Sequence, residues 1–400
     1  MSRLPALVAA LLLAGCARPP APVAVNPLPN PPDTPPDQVL AAGVAYLVAH
    51  QSPDGAWRSD IYATFKDGPA LTPLVLLALT ESADAASAAA RRKGCAYLAG
   101  LVQPDGTIAG GEAGLDYPVY TAALAVKVLS HPENTAHVKA RDAWLKYLLD
   151  RQLTAELGWA PGDAHFGGWG YCRVVPKKPA PNAVAPPLVE SNLSATVHAL
   201  DALRAAGFAD ADVYRDATYA VARFQNFDPA AADPGDGGFF FVADDPVRNK
   251  AGADGDGSDA PRVFRSYGST TADGLRGLGT SGLDDPARTR AAAAWLVRNF
   301  RADAHPGAYI PTHERNRDAV YYYYAASASR ALRDRQLALP DGRDAAAELA
   351  TALSGRQQPD GSWANPVELV RENDPLVATS HAVVALASAR RKSHTNQVAR

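Results

Sequence analysis

The chain has 400 residues, a net charge of −3 and 47% hydrophobic residues. That balance offers no basic footprint, so nucleic acid is not an expected partner. Beyond Cys16 only Cys95 and Cys172 remain, enough for one disulfide in an oxidising compartment but too few to establish it.

Arg3 supplies a positive start, and residues 4–13 form an apolar run too short to span a bilayer as a permanent helix. The run ends in Leu13-Ala14-Gly15-Cys16, which resembles the lipobox of bacterial lipoproteins. The resemblance implies cleavage of residues 1–15 as a signal peptide and a lipid anchor on Cys16, which would tether a soluble domain to the membrane. Ala17 follows where an aspartate would favour inner-membrane retention. The expected location is therefore the cell envelope, with the outer membrane favoured if there is one. Residues 16–36 are dense in proline and read as an extended, semi-rigid spacer. No further membrane-length apolar run follows.

Residues 37–390 alternate between two helix types, and residues 391–400 read as a polar tail. Segments 38–51, 85–102, 137–152, 212–225, 286–300 and 343–357 carry one apolar face and one charged face. Each is followed by a Gly-rich turn and a more uniformly apolar segment: 68–79, 117–129, 191–203, 266–278, 318–332 and 374–387. Helices apolar all round are usually buried. Six half-polar/apolar pairs therefore predict two concentric rings, an (α/α)6 toroid of six helical hairpins.

A short phrase recurs at the joints. Gln51-Ser-Pro-Asp54-Gly55-Ala-Trp57 is matched by Gln358-Pro-Asp360-Gly361-Ser-Trp363, with a partial copy at Gln103-Pro-Asp-Gly106. Gln152 with Gly158-Trp159, and Gln225 with Asp236-Gly-Gly-Phe239, read as degenerate copies; the fifth joint, at Asn299-Phe300, has no Asp-Gly. The phrase resembles the QW repeat of squalene–hopene cyclases and protein prenyltransferase β-subunits. The inner-helix starts Ser266-Tyr-Gly-Ser-Thr-Thr271 and Tyr321 to Tyr324 resemble bacterial prenyltransferase/squalene-oxidase-repeat proteins. The phrase also has a structural explanation. Glycine accepts positive φ, aspartate bonds nearby backbone N–H groups, and a helix-end glutamine can satisfy orphan carbonyls.

The resemblance implies a central cavity walled by the inner helices. The candidates for its lining are Tyr120, Asn192, Tyr267, Thr270, Tyr321, Tyr324 and His381, with Asp273 as a weak catalytic candidate. Four consecutive tyrosines sit about 100° apart round a helix, so they cannot all face inward; Tyr321 and Tyr324, three apart, could share a face. The opposing reading makes the hydroxyls helix caps and the tyrosines core.

The acids required by the family's chemistry are absent. There is no Asp-x-Asp-Asp to protonate an alkene, and neither Asp244-Asp245 nor Asp284-Asp285 forms Asp-Asp-x-x-Asp. Cys95, Cys172 and the histidines do not show zinc-ligand spacing. Asp254-Gly-Asp-Gly-Ser-Asp259 lacks the glycine and glutamate an EF-hand wants. No metal or cofactor is expected. The expectation is a membrane-tethered toroid that binds a hydrophobic, isoprenoid-like small molecule or acts as a scaffold, with protein partners unspecified. The alternative is a lyase or hydrolase acting on a terpenoid or envelope polysaccharide at the inner-helix starts.

Overall fold

The computed structural model describes residues 34–110, 115–255, 263–282 and 285–397, with side chains described as far as 390. The expected signal peptide, Cys16, nearly all of the proline-rich spacer and residues 256–259 of the acidic stretch lie outside the described residues.

The outer helices are α1 (Pro36–Ala49), α3 (Ala85–Gly100), α5 (Val138–Leu149), α7 (Ala211–Arg223), α9 (Pro286–Asn299) and α11 (Ala345–Ser354). The inner helices are α2 (Thr72–Leu79), α4 (Pro118–Leu129), α6 (Leu193–Ala205), α8 (Gly268–Ser281), α10 (Tyr321–Asp334) and α12 (Pro375–Gln397). Every residue of α2 is buried, and so are nearly all of α4 and the first eight of α6. The outer helices bury only one stripe, as Ala140, Trp144 and Leu148 do in α5. Each inner helix packs on the next, and α12 returns to α2, which closes the ring. α12 continues through Gln397, into the segment expected to be a polar tail. Among the described residues no helix is long and apolar enough to cross a membrane.

The recurring phrase is the joint between hairpins. The Gln51 amide donates to Gly55 O (2.9 Å) in its own turn and to Ala90 O (2.8 Å) in the next outer helix. Gln152 reaches Gly167 O and Val213 O, and Gln225 reaches Gly237 O and Arg288 O. The last link, which closes the ring, is made by Gln357, to Gly361 O (3.0 Å) and Val39 O (2.8 Å). This corrects the sequence reading, which assigned the strut to Gln358. Counting back from Trp363, Gln357 holds the place of Gln51, and the exposed Gln358 holds that of Ser52, whose N–H bridges the turn. At the two joints without a strut glutamine other groups serve: Trp144 Nε1 donates to Leu98 O, and Arg356 donates to Asp303 O.

The tryptophans tie each turn inward. The indole N–H groups of Trp57, Trp169 and Trp363 donate to Leu47 O, Leu148 O and Leu353 O near the ends of outer helices. Their backbone N–H groups donate to Thr72, Thr196 and Thr379 in the first turn of the following inner helix. The third copy therefore uses Trp169, not Trp159; Trp159 belongs to a small satellite cluster with Leu153 and Cys172. Gly55 (φ 94°) and Gly361 (φ 90°) turn the chain against the neighbouring outer helix, where a Cβ would lie 2.4 Å from Lys93 O and 2.6 Å from Ala42 O. Cys95 and Cys172 are both free, buried thiols, so the disulfide considered from the sequence is not formed.

Gln357→Ala removes two hydrogen bonds at the closing joint and should cost about 2 kcal/mol, whereas Gln358→Ala should stay within about 0.5 kcal/mol of wild type. Urea denaturation of the two variants checks the assignment; equal effects would contradict it.

Candidate functional site

The inner helices all start at one mouth of the ring, and a cavity of about 400 Å3 opens there. Its wall comes from their first two turns: Leu74 on α2, Tyr120 on α4, Ser194 on α6, Asp273 on α8, Tyr323 on α10 and His381 on α12. Loops add Phe65, Tyr171, Phe241, Arg248, Lys250, Arg371 and Glu372. Tyr120, Tyr323 and His381 also line a narrow void deeper along the ring axis, which places them on the floor.

The structure lines the cavity with Tyr120, Tyr267, Thr270, His381 and Asp273 among the sequence candidates. Three others are elsewhere. Asn192 is the N-cap of α6, its Oδ1 accepting from Ala195 N (2.9 Å). Tyr321 and Tyr324 point outward from α10, their hydroxyls donating to Ala302 O and Arg301 O. The expectation that these two share the inward face was wrong in phase. They do share a face, but Arg356 stacked on Tyr321 and His305 stacked on Tyr324 make it the outer one. Tyr323, between them, is the tyrosine of the run that faces the cavity. Thr270 spends its hydroxyl on Phe239 O and Tyr267 O, and so caps no helix N–H group.

The floor is a directed hydrogen-bond chain. Tyr323 Oη donates to Asp273 Oδ2 at 2.6 Å and lies 2.7 Å from Ser194 Oγ. Asp273, 1% exposed, additionally accepts from Ser327 Oγ (2.6 Å) and Arg276 Nη1 (3.0 Å). Three donors are thus aimed at the two oxygens of Asp273. Burial and the adjacent Asp273 carboxylate push the Tyr323 hydroxyl well above its ordinary range, so it keeps its proton and shares it in this bond. Burial lowers His198 to about 4 and His381 to about 3, leaving both rings neutral at the floor.

Glu372 was not singled out by sequence reasoning. It sits in the loop before α12, 2% exposed, and accepts from Tyr323 N (2.7 Å), Tyr322 N (2.9 Å) and Asn365 Nδ2 (3.2 Å). Burial raises it to about 7, outweighing those donors. One tyrosine thus touches both carboxyl groups, Glu372 through its backbone and Asp273 through its hydroxyl. The sequence signal was weak: a glutamate in a charged loop, with no partner in sequence.

Above the floor sit three cations. Arg248 pairs with Glu190 (3.3 Å). Arg371, at φ 69°, lies among the rings of Tyr62, Phe65 and Tyr117, and its buried Nη1 has no hydrogen-bond partner. Burial and Arg248 lower the Lys250 ammonium, which makes no side-chain hydrogen bond among the described residues. The positive ends of the inner-helix dipoles converge on the same mouth, reinforcing its preference for negative charge. Among the described residues no group of three or more His, Cys, Asp or Glu could hold a metal ion.

No family model and no curated protein matches the sequence. Solved structures do match in fold. An unsaturated glucuronyl hydrolase specific for heparin is 13% identical, aligning over 90% of this chain and 98% of its own, with a TM-score of 0.57. A type II terpene cyclase from Scytonema bound to merosterolic acid A is 14% identical over 89% and 97%, TM-score 0.56. The cellobiose 2-epimerase of Spirochaeta thermophila is 14% identical over 90% and 98%, TM-score 0.52. These likenesses show the (α/α)6 toroid.

Glu372 gives the site a pH signature. Between its ordinary 4.5 and about 7, the unfolded chain has released this proton while the folded protein retains it. Its contribution to stability therefore falls as pH rises through that window, by roughly 3 kcal/mol in all. The buried histidines impose the opposite slope at lower pH, so the check is the difference between wild type and Glu372→Gln in denaturant titrations from acid to neutral. A difference independent of pH would contradict the assignment.

Proposed function

We propose that the protein is an acid–base enzyme of the lyase or hydrolase class acting on an acidic glycan fragment in this cavity. The observation that carries the reading is the Tyr323–Asp273 hydrogen bond on the floor, beneath the Arg371 guanidinium, whose Nη1 has no hydrogen-bond partner among the described residues. The cavity volume of about 400 Å3 falls within the common range for small-molecule sites. A floor built from the hydroxyls of Tyr323 and Ser194, with Asp273 and neutral His381, suits a polyhydroxylated ring better than a hydrocarbon chain. Tyr117, Tyr171 and Tyr267 supply faces for a sugar to stack on, and Arg371 and Lys250 match a carboxylate.

In this reading Glu372, poised near neutrality, exchanges a proton with the substrate as general acid or base. Tyr323 orients a substrate oxygen and passes developing charge to Asp273, which stays paired to Arg276. Two carboxyl groups in contrasting surroundings are what acid–base work at a sugar requires. The likeness in fold to a glucuronyl hydrolase and a cellobiose epimerase supports the reading. A second reading, a binding protein for an isoprenoid-like ligand, is favoured by the apolar side of the wall, Phe65, Leu74, Val320 and Val377, and by the terpene cyclase neighbour.

The assay is turnover of uronate-containing oligosaccharides, read as new reducing ends or unsaturated products. Tyr323→Phe is expected to lower kcat by about 100-fold or more with little change in KM. No turnover across the panel, together with saturable binding of prenyl lipids, would favour the second reading. We propose also that Cys16 anchors the protein in the envelope, holding the cavity off the membrane on the proline-rich spacer. Cys16→Ser is then expected to move the protein from the membrane to the soluble fraction and abolish palmitate labelling; unchanged fractionation would contradict the anchor.

A further inference from the structure

The opposite mouth of the ring, where the inner helices end, holds a second cavity of about 710 Å3. It is lined by six cationic side chains, Lys127, Arg204, Arg276, Arg330, Arg333 and Arg335, against three carboxylates, Glu81, Asp201 and Asp334. Cations at helix C-termini are ordinarily accounted for by the dipole and by orphan carbonyls. That covers Arg204, which donates to Thr280 O, and Arg335, which donates to Leu275 O. Arg276 is held between Asp273 and Asp201, and Arg333 pairs with Asp334 and bonds Ser388.

Arg330 is different. It is 9% exposed and makes no hydrogen bond or ion pair among the described residues. Its guanidinium lines both this cavity and the narrow void above it. An unpaired buried guanidinium is costly to keep, and here it faces open space beside Lys127, whose ammonium is 3.4 Å from its sole carboxylate partner among the described residues, Asp201. Burial brings Lys127 down to about 8 against the pull of Asp201, with Arg330 and Arg276 adding smaller contributions to the lowering.

We propose that this C-terminal mouth is a binding site for a phosphate-type oxyanion, with the Arg330 guanidinium and the Lys127 ammonium as its principal ligands. A planar guanidinium donates in pairs to phosphate oxygens, and the ammonium adds a point charge. The rim arginine Arg333 widens the positive field at the entrance. The anion is either free or carried on a lipid headgroup; both present the same chemistry. The site is separate from the glycan cavity and does not depend on that reading.

The test is calorimetric titration of the full chain with inorganic pyrophosphate, at ionic strength held constant with sodium chloride. Saturable binding is expected, weakened about tenfold or more by Arg330→Gln with the helical circular dichroism unchanged. Arg333→Ala, at the rim, is the second variant and should weaken binding less. Sedimentation with phosphatidylglycerol vesicles, compared with neutral vesicles, separates the sources: Arg330-dependent capture identifies a headgroup, and pyrophosphate binding without capture identifies a soluble anion. Absence of saturable heat and of vesicle capture would overturn the proposal, as would binding that neither substitution weakens.

Discussion

Closure of the inner ring with every inner helix running the same way is the constraint on which the rest depends. Six helix N-termini are brought to one mouth and six C-termini to the other, so the two ends acquire opposite backbone polarity before any side chain is chosen. The N-terminal mouth then accommodates Glu372 against the N–H groups of Tyr322 and Tyr323. The C-terminal mouth accommodates arginines that take up terminal carbonyls. Closure itself rests on small polar contacts at the outer joints, where a glutamine amide bridges its own turn and the next outer helix. Where glutamine is missing, Trp144 or Arg356 makes the crossing contact. The geometry of the ring is thus held by hydrogen bonds to backbone, and the apolar helices fill it.

The interior is not uniformly apolar. Asp273, Arg276, Asp201 and Lys127 form an ionic chain from the buried cavity floor toward the half-exposed Lys127 at the other mouth. Such a chain is weak as a source of stability, because desolvation offsets much of the attraction, but breaking one member strands the others. Its position explains why Asp273 cannot be treated as an isolated acid. Arg276 commits it to one side and Tyr323 to the other. Near it lie Glu372, whose pKa burial raises to about 7, and the Ser194 hydroxyl, which meets Asp273 through Tyr323.

Much of the architecture was legible in the sequence because helix periodicity and turn chemistry are local. The twelve helices fell where alternating amphipathic and apolar segments put them, and Asp-Gly marked the turns. The errors came from phase and from distance. Gln358 was taken for Gln357 because adjacent glutamines are indistinguishable without the partner carbonyl of Val39, some three hundred residues away in sequence. Trp159 was taken for Trp169 because a long insertion separates the strut from its indole. Tyr321 and Tyr324 were placed on one helix face correctly, yet which face looks inward is set by neighbouring helices. Glu372 was missed because its character comes from burial and from N–H groups of a different hairpin.

The central claim is that the N-terminal mouth receives a polyhydroxylated anion, its charge met by Arg371 and Lys250 and its hydroxyls by the Tyr323–Asp273 floor. Calorimetric titration with a glucuronate-containing disaccharide, beside a prenyl alcohol, tests this most directly. The account predicts saturable binding of the saccharide that weakens markedly in Arg371→Ala. Dilution heats alone for the saccharide, with tight saturable binding of the prenyl alcohol, would contradict it.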